Sequence, residues 1–342
     1  MTTNKKIKIL STISLTESQY KRIQAVDEDI RLEVFRGKEI GNISTETWKN
    51  AEILFSSGAG LPQPEKVPNL RWLQSSYTGV ETILDHPLVR DPKVVTTSAS
   101  GVMVAQMGEY VLMALLMLGH KMPQMIHAQR NKVWPEDRQR QLEPRLLRGS
   151  TVGIVGYGSI GREVARQLYP YGATVLAAKR DATRPSDNGY APEGLGDPEG
   201  NYFHRLYPIE ALQGMLAECD FVVITLPQTP ETEGLFNKET INAMKPGSYL
   251  VNVSRGALVH ENALIDALNS GHLAGAVLDV FNEEPLPAEH PFWTTPNLII
   301  TPHISAFSPS LMDDIVNLFV TNLKRYLQDL PLYNQIDLAQ GY

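Results

Sequence analysis

Arg255, Glu284 and His303 each stand where a short apolar run gives way to polar residues, in VNVSRG (251–256), DVFNEEPLP (279–287) and TPHIS (301–305). Together they carry what hydride reduction of a 2-oxo acid needs. A cation must orient the carboxylate and polarise the carbonyl, and the planar fork of an arginine can engage carboxylate oxygens in pairs. An acid must protonate the new alkoxide, and an imidazole exchanges a proton near neutral pH. A neighbouring carboxylate orients that imidazole and favours its protonated form. Taken singly, such an arginine is more commonly a salt-bridge partner and such a histidine structural, and Glu283, Glu284 and Glu289 can form a solvated acidic loop. Their order after a dinucleotide turn makes the pattern specific. No His/Cys/Asp cluster has metal-ligand spacing, so no metal is expected.

That turn lies upstream, in TVGIVGYGSIG (151–161). A β-branched run leads into Gly156, Gly158 and Gly161, the spacing of a dinucleotide-binding motif. Gly156 permits a tight turn, Gly158 lets the backbone approach a pyrophosphate, and Gly161 lets the next helix pack closely on the strand. Ser159 and Ile160 fall at the mouth of that helix, where unpaired N–H groups and the positive dipole end favour phosphate. A second strand over 173–178 runs into Lys179, Arg180 and Asp181. An acid near this position binds the ribose 2′-OH of NAD(H), whereas a cation accommodates the 2′-phosphate of NADP(H). Lys179 and Arg180 therefore favour NADP(H), with Asp181 as the NAD-type alternative, displaced along the loop.

The elements that must position these residues follow from apolar periodicity. Strands are expected at 6–10, 32–35, 52–55, 71–76 and 93–97, and again at 173–178, 220–226, 248–253, 275–279 and 298–301. Helical or Pro/Gly-punctuated stretches separate them, so the fold class is α/β with mostly parallel sheets. Thr16 and Gln19 form a capping box opening the first helix. YTGV (Tyr77, Thr78, Gly79, Val80) sits at the carboxyl end of a strand, where ligands collect in such sheets. It reads as a carboxylate-binding loop or as an ordinary strand-to-helix turn. The run YVLMALLML (110–118) is too short to span a bilayer and suits a helix in a core or subunit interface. Helices are also expected at 261–269 and 310–330. Residues 181–206, dense in Pro and Gly, read as an inserted, mobile surface loop.

Composition narrows the partners. A chain of 342 residues, 42% hydrophobic, can bury substantial cores in two domains. A net charge of −7 without a long basic run argues against nucleic acid or an anionic membrane. The single cysteine, Cys219, excludes an intramolecular disulfide framework, and MTTNKKI at the start is not a secretory leader, which places the protein in the cytoplasm.

The chain resembles the D-isomer-specific 2-hydroxyacid dehydrogenase family, most closely its glyoxylate/hydroxypyruvate reductase branch. The likeness is carried by GYGSIG, CDFVVITLPQTPETEGLFN (219–237), MKPGSYLVNVSRGALV (244–259), LDVFNEEPLP (278–287) and NLIITPHISA (297–306). It implies two Rossmann-like, flavodoxin-like parallel-sheet domains with an interdomain cleft. A discontinuous substrate domain, 1–102 plus 306–342, flanks an NAD(P)-binding domain, 103–305, replacing a simple division near 122–147. By the same resemblance Arg255, Glu284 (the Glu before Pro) and His303 are catalytic, and Tyr77–Val80 with Arg255 hold the substrate carboxylate. Val253, Ser254 and Asp279 match positions near the nicotinamide, and Leu226 and Pro227 positions near the adenosine half. The long helix from Met107 resembles a dimer interface, implying a homodimer. The expected reaction is NADPH-dependent reduction of a small 2-oxo acid to the D-2-hydroxy acid, and its reverse. Formate dehydrogenases of the superfamily carry Gln where Glu284 stands, so formate is not the expected substrate. The competing class is a non-catalytic NAD(P)H sensor of the corepressor type.

Overall fold

The computed structural model describes residues 6–341; the first five residues, which bear on the reading of the amino terminus, and Tyr342 lie outside the described residues. The chain divides into two compact units, one holding the chain up to Val102 and again from Ser308, the other Met103–Phe307.

The first unit is built on five parallel strands, β1 (Ile7–Ser11), β2 (Ile30–Val34), β3 (Ile53–Ser56), β4 (Trp72–Ser75) and β5 (Val95–Thr97), in the order β2-β1-β3-β4-β5. β3 and β4 are buried along their whole length, as strands covered on both faces must be. Helix Leu311–Leu327 supplies part of that cover, with Phe319 stacked on Phe55 at 4.4 Å and on Trp72 at 5.1 Å. Helix Glu17–Gln24 opens on the expected capping box, Thr16 and Gln19 each satisfying the other's backbone N–H. The carboxyl-terminal segment returns to the sheet edge, where Ile336 N donates to Thr96 O.

The second unit holds seven parallel strands, β6 (Thr151–Val155), β7 (Thr174–Lys179), β8 (Arg205–Pro208), β9 (Phe221–Ile224), β10 (Ser248–Asn252), β11 (Leu273–Leu278) and β12 (Leu298–Ile300). Their order, β12-β11-β10-β9-β6-β7-β8, reverses direction between β6 and β9. That reversal is a topological switch point, where the loops leaving two neighbouring strands part and open a crevice. Helix Val104–Gly119 turns Met107, Val111, Leu115 and Leu118 into the core, while Met113 is 44% exposed.

Two expectations need correction. Strand β8 begins within the stretch read as irregular, because Arg205–Pro208 pairs with β7 although only Leu206 and Tyr207 are apolar. Nor is 181–206 a loose surface excursion. Asp197 within it is 2% exposed and accepts hydrogen bonds from Asn201 N and Tyr202 N, an internal fold that Pro/Gly content does not reveal.

Candidate active site

The three ionisable residues follow consecutive strands, Arg255 after β10, Glu284 after β11 and His303 after β12. Parallel order puts all three at one edge of the sheet. Arg255 is held by Asn252, whose side chain is 1% exposed. Asn252 donates to Arg255 O at 2.9 Å and accepts from Ser254 N and Oγ at 3.1 and 2.8 Å. Arg255 itself donates from Nη1 to Ser254 O at 2.8 Å. The next residue must be glycine: a Cβ on Gly256 would lie 2.0 Å from the carbonyl carbon of Phe281. This close approach brings the arginine loop against the loop that carries the glutamate.

Glu284 uses both oxygens. Oε1 accepts from Phe281 N at 2.9 Å, and Oε2 lies 2.8 Å from His303 Nδ1. The carboxylate thus favours a proton on Nδ1 and leaves Nε2 as the ring nitrogen not engaged by Glu284. His303 has a φ of 52°, in the left-handed region, an uncommon conformation that its surroundings must impose. Asp279 imposes it. Fully buried, it accepts from Thr301 Oγ1 at 2.5 Å and from Ile304 N and Ser305 N, both at 2.9 Å, on either side of the histidine. Thr301 in turn meets the Tyr110 hydroxyl at 2.5 Å. Burial pushes that phenol up to about 12, so it stays protonated. Arg255, Gly256, Phe281, Glu284 and His303 line one cavity of about 280 Å³ with Gln228. A larger concavity alongside, about 440 Å³, is bordered by Glu233 and His260 and contains none of the three.

The glycine turn leaves β6 at the switch point. Gly156 has a φ of 106°, and a Cβ there would meet the backbone of Thr225 and Leu226 at 2.8 Å. Thr225 Oγ1 donates to Gly156 O at 2.7 Å, tying the two sides of the crevice. At Gly161 a Cβ would lie 2.4 Å from Gly156 O, whereas at Gly158 it would meet nothing within 4 Å. The turn is therefore packed where helix and strand touch and open at Gly158, the cradle a pyrophosphate needs. Helix Ser159–Leu168 starts there, and its first-turn N–H groups, at Ser159, Ile160 and Gly161, have no partner within an α-helix. The residues fit a bound dinucleotide. Val253 and Ser254 are buried on the end of β10, and Leu226 and Pro227 follow β9.

Past β7, Lys179 Nζ donates to the carbonyl of Arg184 at 2.9 Å. Asp181 is committed locally: Thr183 N and Oγ1 donate to it, and Arg184 pairs with it at 3.2 Å. Hydrogen bonds from Thr183 first, helped by Arg184 and Lys179, hold its carboxyl below the usual range. In the first unit, Tyr77 is 57% exposed at the end of β4, its N–H donating to Ser75 Oγ at 3.1 Å, and Val80 is buried.

Sequence reasoning missed Asn252, Thr301 and Tyr110. The first two leave a faint signal, a polar residue at or just past a strand end, three and two places before Arg255 and His303. Tyr110 leaves none, being 191 residues from its partner. Asp279 was read as a position near the nicotinamide, and its carboxylate is found anchoring the His303 loop. Among the described residues there is no group of three or more His, Cys, Asp or Glu able to hold a metal, and no helix long and apolar enough to cross a membrane.

A seven-stranded doubly wound sheet with a glycine turn at its switch point, and a cation and an imidazole–carboxylate pair on the same edge, defines a dinucleotide-dependent oxidoreductase. The sequence profile described as "D-isomer specific 2-hydroxyacid dehydrogenase, NAD binding domain" matches residues 112–305. A glyoxylate/hydroxypyruvate reductase A of Yersinia enterocolitica is 32% identical, covering 77% of this chain and 79% of its own. The human glyoxylate reductase/hydroxypyruvate reductase is 31% identical, covering 79% and 78% respectively. A D-isomer specific 2-hydroxyacid dehydrogenase from Xanthobacter autotrophicus, solved with NADPH and MES, superposes with a TM-score of 0.79 at 28% identity, covering 99% of this chain and all of the other. The chain belongs to the D-isomer specific 2-hydroxyacid dehydrogenase family and is an NAD(P)-dependent oxidoreductase acting on small 2-oxo and 2-hydroxy acids.

Proposed function

We propose that this protein reduces glyoxylate, hydroxypyruvate or a similarly small 2-oxo acid to the 2-hydroxy acid with NADPH, giving the D-isomer where the product is chiral, and catalyses the reverse oxidation. The observation that carries the reading is the His303–Glu284 pair, 2.8 Å apart, in one cavity with Arg255. When bound, the nicotinamide supplies the hydride. Arg255 holds the substrate carboxylate and polarises the carbonyl, its backbone held by Asn252 and its guanidinium by Ser254 O. His303, steadied by Glu284 on Nδ1, gives the proton on Nε2 to the developing alkoxide and takes it back in the reverse direction. On the first unit, the Tyr77–Val80 backbone is a second candidate for the carboxylate.

The preference for NADPH rests on Lys179 and Arg180 at the end of β7 and on the engagement of Asp181 by Thr183 and Arg184. Cations there attract a 2′-phosphate through charge-assisted hydrogen bonds. The NADPH held by the Xanthobacter relative is in keeping with this. A homodimer belongs to the same reading, supported by the exposed apolar side chains of Met113 and Trp134.

One experiment tests the core of it. NADPH and NADH oxidation is followed with a panel of 2-oxo acids, and the chirality of the product is determined. Turnover of the small members with a higher kcat/KM for NADPH is expected, with the D-isomer formed from those, such as hydroxypyruvate, whose product is chiral. A clear NADH preference overturns the cofactor assignment. Tight cofactor binding without any turnover overturns the enzyme reading in favour of a sensor.

A further inference from the structure

Beyond the charged residues at its start, the segment between β7 and β8 has no role in the reaction described above, yet its residues converge on the glycine turn. Tyr157, between Gly156 and Gly158, is 1% exposed. Its hydroxyl donates to Asp197 Oδ2 at 2.6 Å, and its ring meets Phe203 edge to face at 5.3 Å. The Arg162 guanidinium lies 4.7 Å over the same ring. Arg162, 2% exposed, reaches back from the first turns of the helix to the segment. Its Nη1 donates to Asp197 O at 2.5 Å, its Nη2 to Pro185 O at 2.7 Å, and its Nε lies 3.4 Å from the Asp187 carboxylate. One residue on, the buried Glu163 accepts from Gly196 N at 2.7 Å.

These ties land on the turn itself. The N–H groups of Gly156 and Tyr157 both donate to Ala178 O, at 3.0 and 3.1 Å, which fixes the backbone of residue 157 toward β7. The Asp197 hydrogen bond fixes its side chain from the other direction. Residue 157, which leads into Gly158, is thus tied from two sides. Burying a carboxylate and a guanidinium is costly unless each is paired, and apolar residues would cover the sheet edge without that cost. The polar network gives directional restraint, which apolar contact does not.

We propose that Tyr157 and Asp197 are positioning residues for the dinucleotide, the 181–206 segment acting as a buttress that holds the glycine turn in its binding geometry. The proposal rests on the dinucleotide reading of that turn. Preorganisation of this kind shows in affinity, because a turn already held in place loses less freedom when the ligand binds.

The test uses the full-length protein, titrated with NADPH and with NADH by fluorescence, as wild type, Asp197→Asn, Tyr157→Phe and the double variant. Tyr157→Phe keeps the ring packing, so it carries the test even if Asp197→Asn fails to fold. Loss of one charge-assisted hydrogen bond is expected to weaken binding of the preferred cofactor by about tenfold. The double variant should be no weaker than the worse single one, because both act on the same hydrogen bond, one by removing the donor and the other by removing the acceptor's charge. In turnover, the change should fall on the KM for cofactor rather than on kcat. A Tyr157→Phe protein with a lowered Tm but unchanged cofactor affinity overturns the buttress, as does a loss confined to kcat. A wild-type protein that binds neither cofactor overturns the dinucleotide reading itself, a result separate from either.

Discussion

His303 shows how much of the site depends on single atoms. Its ring is oriented through Nδ1 by Glu284, and its backbone is held in the left-handed region by a buried aspartate. Under the proposed mechanism, replacing the ring removes the proton donor. His303→Ala is therefore expected to lower kcat by roughly 10²–10⁴-fold, the range general acid–base groups contribute, with cofactor affinity retained. Turnover like that of the wild type would remove His303 from the mechanism. Cys219 is the opposite case. It is fully buried, and burial pushes its thiol up to about 12. Since the thiolate is the reactive form, a thiol reagent should leave the native protein untouched and label one site after unfolding. Rapid labelling of the native protein would contradict the packing around β9.

At the scale of elements, the site is an agreement among strand-end loops. The β10 loop passes so close to the β11 loop that position 256 has no room for a side chain. Gly256→Ala must push the Phe281 carbonyl away, and Phe281 N is a donor that holds Glu284. The expected result is a fall in kcat/KM of at least about tenfold, since displacements of ångström scale cost that much in an oriented site. Steady-state kinetics with the best substrate of the panel measures it, and unchanged kcat/KM would show that the loops are not coupled. Strand β8 and the segment before it belong to this scale as well. Their pairing with β7 and their grip on the glycine turn come from His204, Asp197 and Arg162, polar residues that hydropathy assigns to solvent.

For the whole molecule, two carboxylates in the second unit link folding to pH. Burial alone would raise Glu163, but hydrogen bonds from Arg166, Gly196 N and Gln167 outweigh it and lower its pKa. Burial also works against Asp220, and Lys245, Thr151 N and Arg145 outweigh it in the same way. A carboxyl whose folded pKa is depressed contributes stability above its unfolded value, near 4, and loses it as pH falls through the depressed value. Urea unfolding should therefore give a nearly constant stability above about pH 5 and a steep decline below about pH 4. A midpoint at pH 3 equal to that at pH 6 would mean that neither carboxylate is held as described.

Much of this was legible in the residues alone. Alternating apolar runs and turn residues located the parallel strands to within a few positions, and the capping box at Thr16 and Gln19 was readable as four consecutive letters. Gly156, Gly158 and Gly161 announced the turn by their spacing after a β-branched run, although the steric contact at Gly156 is with Thr225 and Leu226, far along the chain. The resemblance separated Glu284 from Glu283, which spacing alone did not. Other features required the folded chain. Tyr110 meets Thr301 across 191 residues, and Tyr157 meets Asp197 across 40. No local pattern announces such pairs. The sequence by itself determined the strand periodicity and the glycine turn and supplied the candidate reacting groups, because backbone sterics and side-chain chemistry are properties of neighbouring residues. Tertiary structure alone decided which polar side chains are buried, which loops touch, and that 181–206 grips the turn. Those outcomes depend on which groups, distant along the chain, lose water together and must then satisfy one another.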